Sequence, residues 1–348
     1  MTMTYAILYN PGHNRVYFDT AQRLALAEFE IAAGGLSAAC GVPRNERIGG
    51  VMYLVFEAEN ALTAADVEQL AALSFTYAVF EVEGESDAMR LRPMMSQWNG
   101  FVDEGIGSIL KYTGKTNELF TRMLVNIAYH TQMVGRENVR LLDPVAGKGT
   151  TLYEGLVRGF HVYGIEIGDK VVSEANLFMK RFLENARYKF DAQSIRVSGA
   201  NKSFSAMRHT FELAQTKEMY KAKDTRTFEL VAGNSKFATQ FYKKNTFHMV
   251  VGDLPYGVQH SNVTNENQNG LTRNPAELLK TCLPAWVQVL AKGGALVLSW
   301  NSHVLPRTEM VKILTANGLA VREDGAYAEL AHRVDQAILR DVVVAVKP

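Results

Sequence analysis

The chain has 348 residues, 47% of them hydrophobic and 21% charged, with 37 Lys and Arg against 36 Asp and Glu. That composition suits a globular protein with a sizeable buried core. No basic region followed by an apolar run and a cleavage site opens the sequence, and no window approaches the roughly 18 apolar residues of a membrane span. Secretion and membrane insertion are therefore not indicated, and a cytoplasmic protein is expected.

The first hundred residues read as a small α+β unit. YAILYN is a strand, LALAEFEIAAGG a helix closed by a Gly pair, VMYLVFEAE a strand, TAADVEQLAAL a helix with Thr63 at its N-cap, and TYAVFEVEG a further strand. Residues 1–100 carry six Arg and no Lys against 12 Asp and Glu, a balance of −6. The region from Glu85 to Gly107 is poor in period and rich in turn residues, which places a domain boundary there, with domains 1–95 and 96–348.

From Asn117 onward strands and helices alternate. NELFTRMLVNIA puts Leu119, Phe120, Met123, Leu124 and Ile127 on one helical face, RLLD is a buried strand, TTLYEGLVRG a helix and HVYGIEI a second strand. This is a βαβ unit of about 30 residues with parallel strands. A basic stretch read as helical follows near residues 170–226; from Gly168 to Asn245 there are 15 Lys and Arg against eight acids. FELVAG, FHMVVGD and GGALVLSWN are apolar throughout, as strands covered on both faces require, and Leu319 to Pro348 reads as an antiparallel hairpin. The expected architecture is α/β, an open and mostly parallel sheet with its ligands beyond the carboxyl ends of the strands.

Three strand ends there carry candidate chemistry. LLDPVAGKGTT holds Asp143, Gly147 and Gly149 ahead of a helix, where bare glycines let backbone amides approach a ligand. It is neither a phosphate-binding loop, which would need Gly where Asp143 stands and Ser or Thr in place of Gly149, nor a dinucleotide fingerprint, since the third Gly is missing. Glu166 lies in GIEI, 17 residues beyond Gly149, and an acid there can accept hydrogen bonds from both ribose hydroxyls. Together they point to an adenosyl-type cofactor. DLPYG ends the third strand with Asp253, Leu254, Pro255, Tyr256 and Gly257, and the polar segment SNVTNENQNG after it could lie over the site or simply connect.

Cys40 and Cys282 lie far apart, with no CxxC pair and no histidine at ligand spacing, so neither a metal site nor a disulfide framework is expected. Both are read as buried thiols. His248 lies within a strand and His260 in the polar segment, and they make no rival site.

DPVAGKGTT, GIEI and DLPYG, in that order, resemble the class I S-adenosylmethionine-dependent methyltransferases, and within them the branch that methylates exocyclic amines of nucleic-acid bases. YTGKTNELFTRMLVNIA and HRVDQAILRDVVVAVK extend the resemblance to the THUMP-associated tRNA guanine methyltransferases, over most of Lys111 to Pro348. The resemblance implies a Rossmann-like seven-stranded sheet, mostly parallel with a C-terminal antiparallel hairpin, and a small N-terminal α+β domain as a candidate for docking RNA. It implies S-adenosyl-L-methionine as cofactor and RNA, above all tRNA, as partner, without a membrane or a metal. Asp143, Pro144, Ala146, Gly147, Gly149 and Thr150 would border the methionine portion, Glu166 would take the ribose, and Asn234 with Ser235 would sit by the adenine. Thr116 and Asn117 match the region ahead of the first strand and either border the cofactor or cap a helix. Asp253 and the Leu254 carbonyl would accept the two N–H groups of the target amine, Pro255 would stiffen the turn, and Tyr256 would stack on the base. The family's pattern has proline where Leu254 stands, and often Asp where Asn234 stands. The same chemistry on a DNA base or a protein glutamine, or a non-catalytic cofactor- or RNA-binding protein, are the competing readings.

Overall fold

The computed structural model describes residues 2–10, 15–84, 88–109, 115–199, 204–256 and 274–348, with the side chains of 15–20 excepted. They fall into two compact units: Met1–Asn99 with Arg122–Thr131 and Glu323–Leu330, and Gly100–Thr121 with Gln132–Arg322 and Ala331–Pro348.

In the first unit the order is β1 (Met3–Tyr9), α1 (Arg15–Ala33), β2 (Arg44–Ile48), β3 (Val51–Ala58), α2 (Ala64–Ala71), β4 (Thr76–Glu83) and β5 (Arg90–Pro93). The five strands form an antiparallel sheet in the order β2-β3-β1-β4-β5. Alternate residues of β1 and β3, among them Tyr5, Ile7, Leu54 and Phe56, face a core completed by Phe29, Val67 and Leu70 from the helices. Helix α2 starts where the sequence says it should. The Thr63 hydroxyl accepts from the Asp66 amide at 3.2 Å, and the Asp66 carboxylate accepts from the Thr63 amide at 2.8 Å, a complete capping box. Glu28 is 1% exposed and accepts from the Ser74 amide at 3.0 Å, from the Ser74 hydroxyl, and from Asn126 Nδ2 at 2.7 Å. Burial pushes its carboxyl above the usual range, against the pull of these donors.

The second unit continues with α3 (Ile106–Ile109), α4 (Glu118–Thr131), β6 (Arg140–Asp143), α5 (Thr150–Val157), β7 (His161–Glu166), α6 (Asp169–Asn185), β8 (Lys189–Ser198), β9 (Ser205–Ala214), α7 (Lys217–Lys221) and β10 (Arg226–Ala232). It closes with α8 (Ala238–Phe241), β11 (Phe247–Asp253), α9 (Pro275–Val289), β12 (Leu290–Asn301), α10 (Arg307–Ala316), β13 (Ala320–Arg322), β14 (His332–Arg333) and β15 (Leu339–Val346). The residues of α4 from Arg122 on belong to the first unit.

The large sheet runs β13-β15-β12-β11-β6-β7-β10-β9-β8, with β14 on β15. The five central strands β12, β11, β6, β7 and β10 are mutually parallel. They are the apolar runs, and their side chains fill cores on both faces, with Trp286 and Trp300 wholly buried. The antiparallel end is present, but β13 and β15 are separated by residues 323–338 and do not meet in a tight turn.

The sheet is larger than the seven strands expected, and the stretch read as a helical insertion is the main reason. Only α6 and the short α7 are helical there. On α6, Val172, Ala175, Met179, Phe182 and Leu183 keep helical spacing and are buried. Residues 189–214 form a long hairpin, β8 with β9, that extends the sheet beyond β10. Polar and apolar residues alternate over Lys189–Ala192 and again over Ile195–Ser198, the period of a strand, and most of β8 is exposed. Of the two thiols, Cys282 is buried and Cys40 only half-buried.

Candidate active site

Strands β6 and β11 lie side by side at the centre of the large sheet, with β7 and β10 on one flank, so four carboxyl ends converge. Such a reversal of strand order opens a crevice beyond the strand ends. A cleft of about 220 Å³ lies there, lined by Pro144 and Val145 after β6, Glu166 at the end of β7, Asn234 and Ser235 after β10, and Asp253 and Pro255 at the end of β11. Cys282 and Thr281 of α9 complete it.

The turn after β6 is built for close approach. Gly147 and Gly149 hold φ of 51° and 94°, the left-handed region, and Gly149 caps α5. A Cβ on Gly147 would meet no atom within 4 Å, so its bare backbone faces open space. The Glu166 carboxylate accepts from the amides of Gly147 at 3.0 Å and Gly168 at 2.8 Å, which fastens the turn to the end of β7. Each oxygen keeps acceptor capacity after one such bond. Ala146 is buried and donates its amide to the Ile165 carbonyl at 3.0 Å, while Thr150 begins α5.

Asp143 is 2% exposed and accepts from the Val145 amide at 2.9 Å and from the Thr151 hydroxyl. Burial pushes its carboxyl up to about 7; the charges of Asp253 and Glu166 add to the rise, and the two donors oppose it.

Beyond β10, Asn234 Oδ1 accepts from the Lys236 amide at 3.0 Å and caps a single 3-10 turn, Ser235–Phe237. Its amide nitrogen still has hydrogens to donate toward the cleft that the residue lines. Buried Ser235 hydrogen-bonds Cys282, and burial pushes the Cys282 thiol up, so it remains protonated.

The end of β11 is the most elaborated part. Asp253 accepts three hydroxyls: Tyr256 on Oδ1 at 2.6 Å, Ser299 also on Oδ1, and Thr116 on Oδ2. The carboxylate is therefore fixed as an acceptor, with capacity remaining on Oδ2. Of the pair left open between cofactor and cap, Thr116 reaches Asp253 and Asn117 caps α4, its Oδ1 accepting from the Phe120 amide at 3.1 Å.

Leu254 is 1% exposed, packed in the core, and its amide donates to the Ser299 carbonyl at 2.8 Å. A proline there could not donate, so this departure from the family's pattern is tied to continued pairing of β11 with β12. Tyr256 is half-buried, and burial together with the Asp253 charge raises its hydroxyl well above the ordinary tyrosine range. It stays a donor. The Arg340 guanidinium lies 5.2 Å from its ring and 4.4 Å from that of Phe120. Stacking of anything further on Tyr256 is thus confined to the ring's other face.

Sequence reasoning missed Ser299 and Arg340. Ser299 is the direct parallel partner of Asp253 in the register of β11 and β12, and its only sequence signal is a lone hydroxyl near the end of an apolar strand. Gly257 and the Asn-rich segment lie outside the described residues. Among the described residues no group of His, Cys, Asp and Glu could hold a metal, and no helix is long and apolar enough to cross a membrane.

No protein-family model matches the chain, and no curated protein matches it. Among solved structures it is similar to an rRNA methylase from Streptococcus thermophilus, at 7% identity and a TM-score of 0.35, over 68% of this chain and 99% of that one. It is also similar to a TehB-like SAM-dependent methyltransferase from Corynebacterium glutamicum, at 13% identity and 0.34, over 62% and 83%. A ribosomal protein L11 methylase from Lactobacillus delbrueckii subsp. bulgaricus gives 15% and 0.33, over 66% and 80%. Likenesses with TM-scores this low assign neither an activity nor a substrate to this chain.

Proposed function

We propose that the second unit binds S-adenosyl-L-methionine and directs its methyl group to an exocyclic amine of a nucleic-acid base, with guanine in tRNA the substrate that the sequence resemblance favours. The observation that carries this reading is the three-hydroxyl cage around Asp253, which lines a cleft together with Glu166, Asn234 and, from the start of the Gly-rich turn, Pro144 and Val145. Setting aside the β8–β9 hairpin and the two-residue β14, seven strands remain, as the resemblance implies.

The residues present suit the cofactor's three parts. The bare Gly147 backbone leaves room beside buried Asp143 for the methionine portion, Glu166 retains acceptor capacity for ribose hydroxyls, and Asn234 retains donors for an adenine edge. When bound, the cofactor supplies an electrophilic methyl group.

The protein's own part is orientation. An exocyclic amine is a weak nucleophile because its lone pair is delocalised into the ring. A carboxylate that accepts one amine N–H, with the Leu254 carbonyl accepting the other, lets the nitrogen pyramidalise and turn its lone pair to the methyl. Hydroxyl donation from Thr116, Ser299 and Tyr256 holds the angle of the Asp253 carboxylate, which positions it as an acceptor. Tyr256, clamped by Asp253 at one end and Arg340 on one face, offers its remaining face to an extruded base.

Incubation with methyl-labelled cofactor and separate tRNA, rRNA, DNA and protein pools tests the reading. Label is expected in the tRNA pool; label entering protein alone would reject the nucleic-acid assignment.

A further inference from the structure

The register of β8, β9 and β10 puts two groups of exposed basic residues at opposite ends of the sheet. Ala232, the last residue of β10, pairs with Met207 of β9, which pairs with Arg196 of β8. Arg196 is exposed, and Lys236, also exposed, stands two residues beyond cleft-lining Asn234. These cations are at the cleft end. At the other end of β10, Arg226 pairs with Leu213, and the preceding segment holds exposed Lys217, Lys221 and Lys223. The seven residues of β10 put roughly 20 Å between the two groups.

Acids at the cleft end belong to the cleft itself, where Glu166 and Asp253 line it and Asp143 is buried; the hairpin beside it brings none to this end. No Asp or Glu occurs from Ala192 to Phe211, nor from Gly233 to Gly252. The far end carries Asp191, Glu212, Glu218 and Asp224 among its lysines. The hairpin is anchored at the cleft end, where Phe204 stacks on Phe237 at 4.8 Å and meets Phe241 at 5.1 Å. Along β8 the residues Ser194, Arg196 and Ser198 share one face of the strand and are exposed, a run of donors without an acid. Such a strip matches a phosphodiester backbone, whose contacts come from Arg and Lys together with hydroxyl and amide donors.

We propose that the cleft end of the β8–β9 hairpin, with Arg196 and Lys236, is the docking surface for the sugar-phosphate backbone of single-stranded nucleic acid leading into the cleft, and that the lysines around α7 play no part. This rests on the reading of the cleft as a site for a nucleic-acid base. The strand register puts Lys221 and Lys223 at the far end, away from the cleft.

Two charge-matched variants test it: Arg196→Glu with Lys236→Glu, and Lys221→Glu with Lys223→Glu. Binding of a fluorescent single-stranded RNA is measured by anisotropy across a salt series, with thermal midpoints checking that each variant is folded. Loss of two phosphate contacts should lower the steepness of log K against log salt by about 1.4, at about 0.7 per phosphate on a single strand, and weaken binding roughly tenfold or more at low salt. The far-end pair should keep the wild-type slope. Equal losses in both pairs would reduce the effect to net charge and overturn the proposal, as would an unchanged slope in the cleft-end pair or a wild-type protein that binds no RNA. Should Arg196→Glu with Lys236→Glu unfold, the Gln pair is read in the same assay by the same criteria. Selective loss at the cleft end with no methyl transfer by the wild type would leave the docking surface standing and remove the reaction; transfer with equal losses would do the reverse. Weakened labelling of an acidic protein in place of RNA would overturn the nucleic-acid partner.

Discussion

The Thr116 hydroxyl donates to the Asp253 carboxylate across 137 residues of sequence, joining the segment ahead of α4 to the end of β11. With Ser299 and Tyr256 it makes Asp253 an oriented acceptor. Removing one donor to a charged acceptor costs about 1.5–3 kcal/mol. Thr116→Val and Ser299→Ala are therefore each expected to slow single-turnover methyl transfer by roughly 10- to 100-fold. The double variant should fall short of the product of the two, because the donors share one carboxylate. Independent, fully additive losses would show that the cage does not act as a unit.

Asp143 gives a pH dependence whose sign follows from its buried position. Its folded-state value of about 7 lies above the roughly 3.9 of an exposed aspartate, so the folded chain holds a proton that the unfolded chain has lost. The stability this contributes is fully present below about pH 4 and lost as pH rises through about 7. The thermal midpoint of the wild type should decline over that window relative to Asp143→Asn. A cationic ligand beside Asp143 favours the ionised form, so S-adenosylmethionine should bind about tenfold more tightly at about pH 8 than at about pH 6, with proton release. Calorimetry in two buffers of different ionisation enthalpy measures that release; proton uptake would contradict the assignment.

Gly164 marks the tightest packing near the cleft. A Cβ there would lie 2.7 Å from Leu230 Cδ1, 2.8 Å from Leu152 Cδ1 and 2.9 Å from Ala146 Cβ. Gly164→Ala should cost about 1–3 kcal/mol in urea denaturation, and it should weaken cofactor binding because Ala146 belongs to the Gly-rich turn. Full stability with weakened binding would place the effect elsewhere.

Leu254→Pro would bring the turn to the family's pattern, yet it should lower both stability and turnover. It deletes the amide that donates to Ser299 and a side chain that is 1% exposed. Loss of one net hydrogen bond alone is about 1 kcal/mol. A more active Leu254→Pro enzyme would show that rigidity limits this turn.

The parts that could be read in advance were those whose residues are set by local demands. The apolar runs of β6, β7, β10, β11 and β12 announce strands covered on both faces, and Thr63 announces α2 because its capping box is local. The polar edge strands β2, RNERI, and β5, RLRP, carry no such signal and are strands only because β3 and β4 pair with them. The β8–β9 hairpin was hidden because the exposed β8, KFDAQSIRVS, breaks its alternation at Gln193 and Ser194 and mixes polar with apolar residues as a solvated helix also does. In the site, Asp143, Glu166 and Asp253 stood out as acids ending apolar strands. Ser299 and Arg340 did not, nor did the reach of Thr116 to Asp253, because what joins these residues to that turn is the register of neighbouring strands and the return of distant segments.

The central claim is that Asp253 orients an exocyclic amine for methyl transfer. It is tested most directly by single-turnover labelling of tRNA, digestion to nucleosides and mass spectrometry, comparing the wild type with Asp253→Asn. A guanosine methylated on its exocyclic amine is expected, formed roughly 100- to 1000-fold more slowly by the variant, the range seen when one preorganised polar group is removed from a site. Equal rates from the two proteins, or a methyl group found only on ring positions, would contradict it.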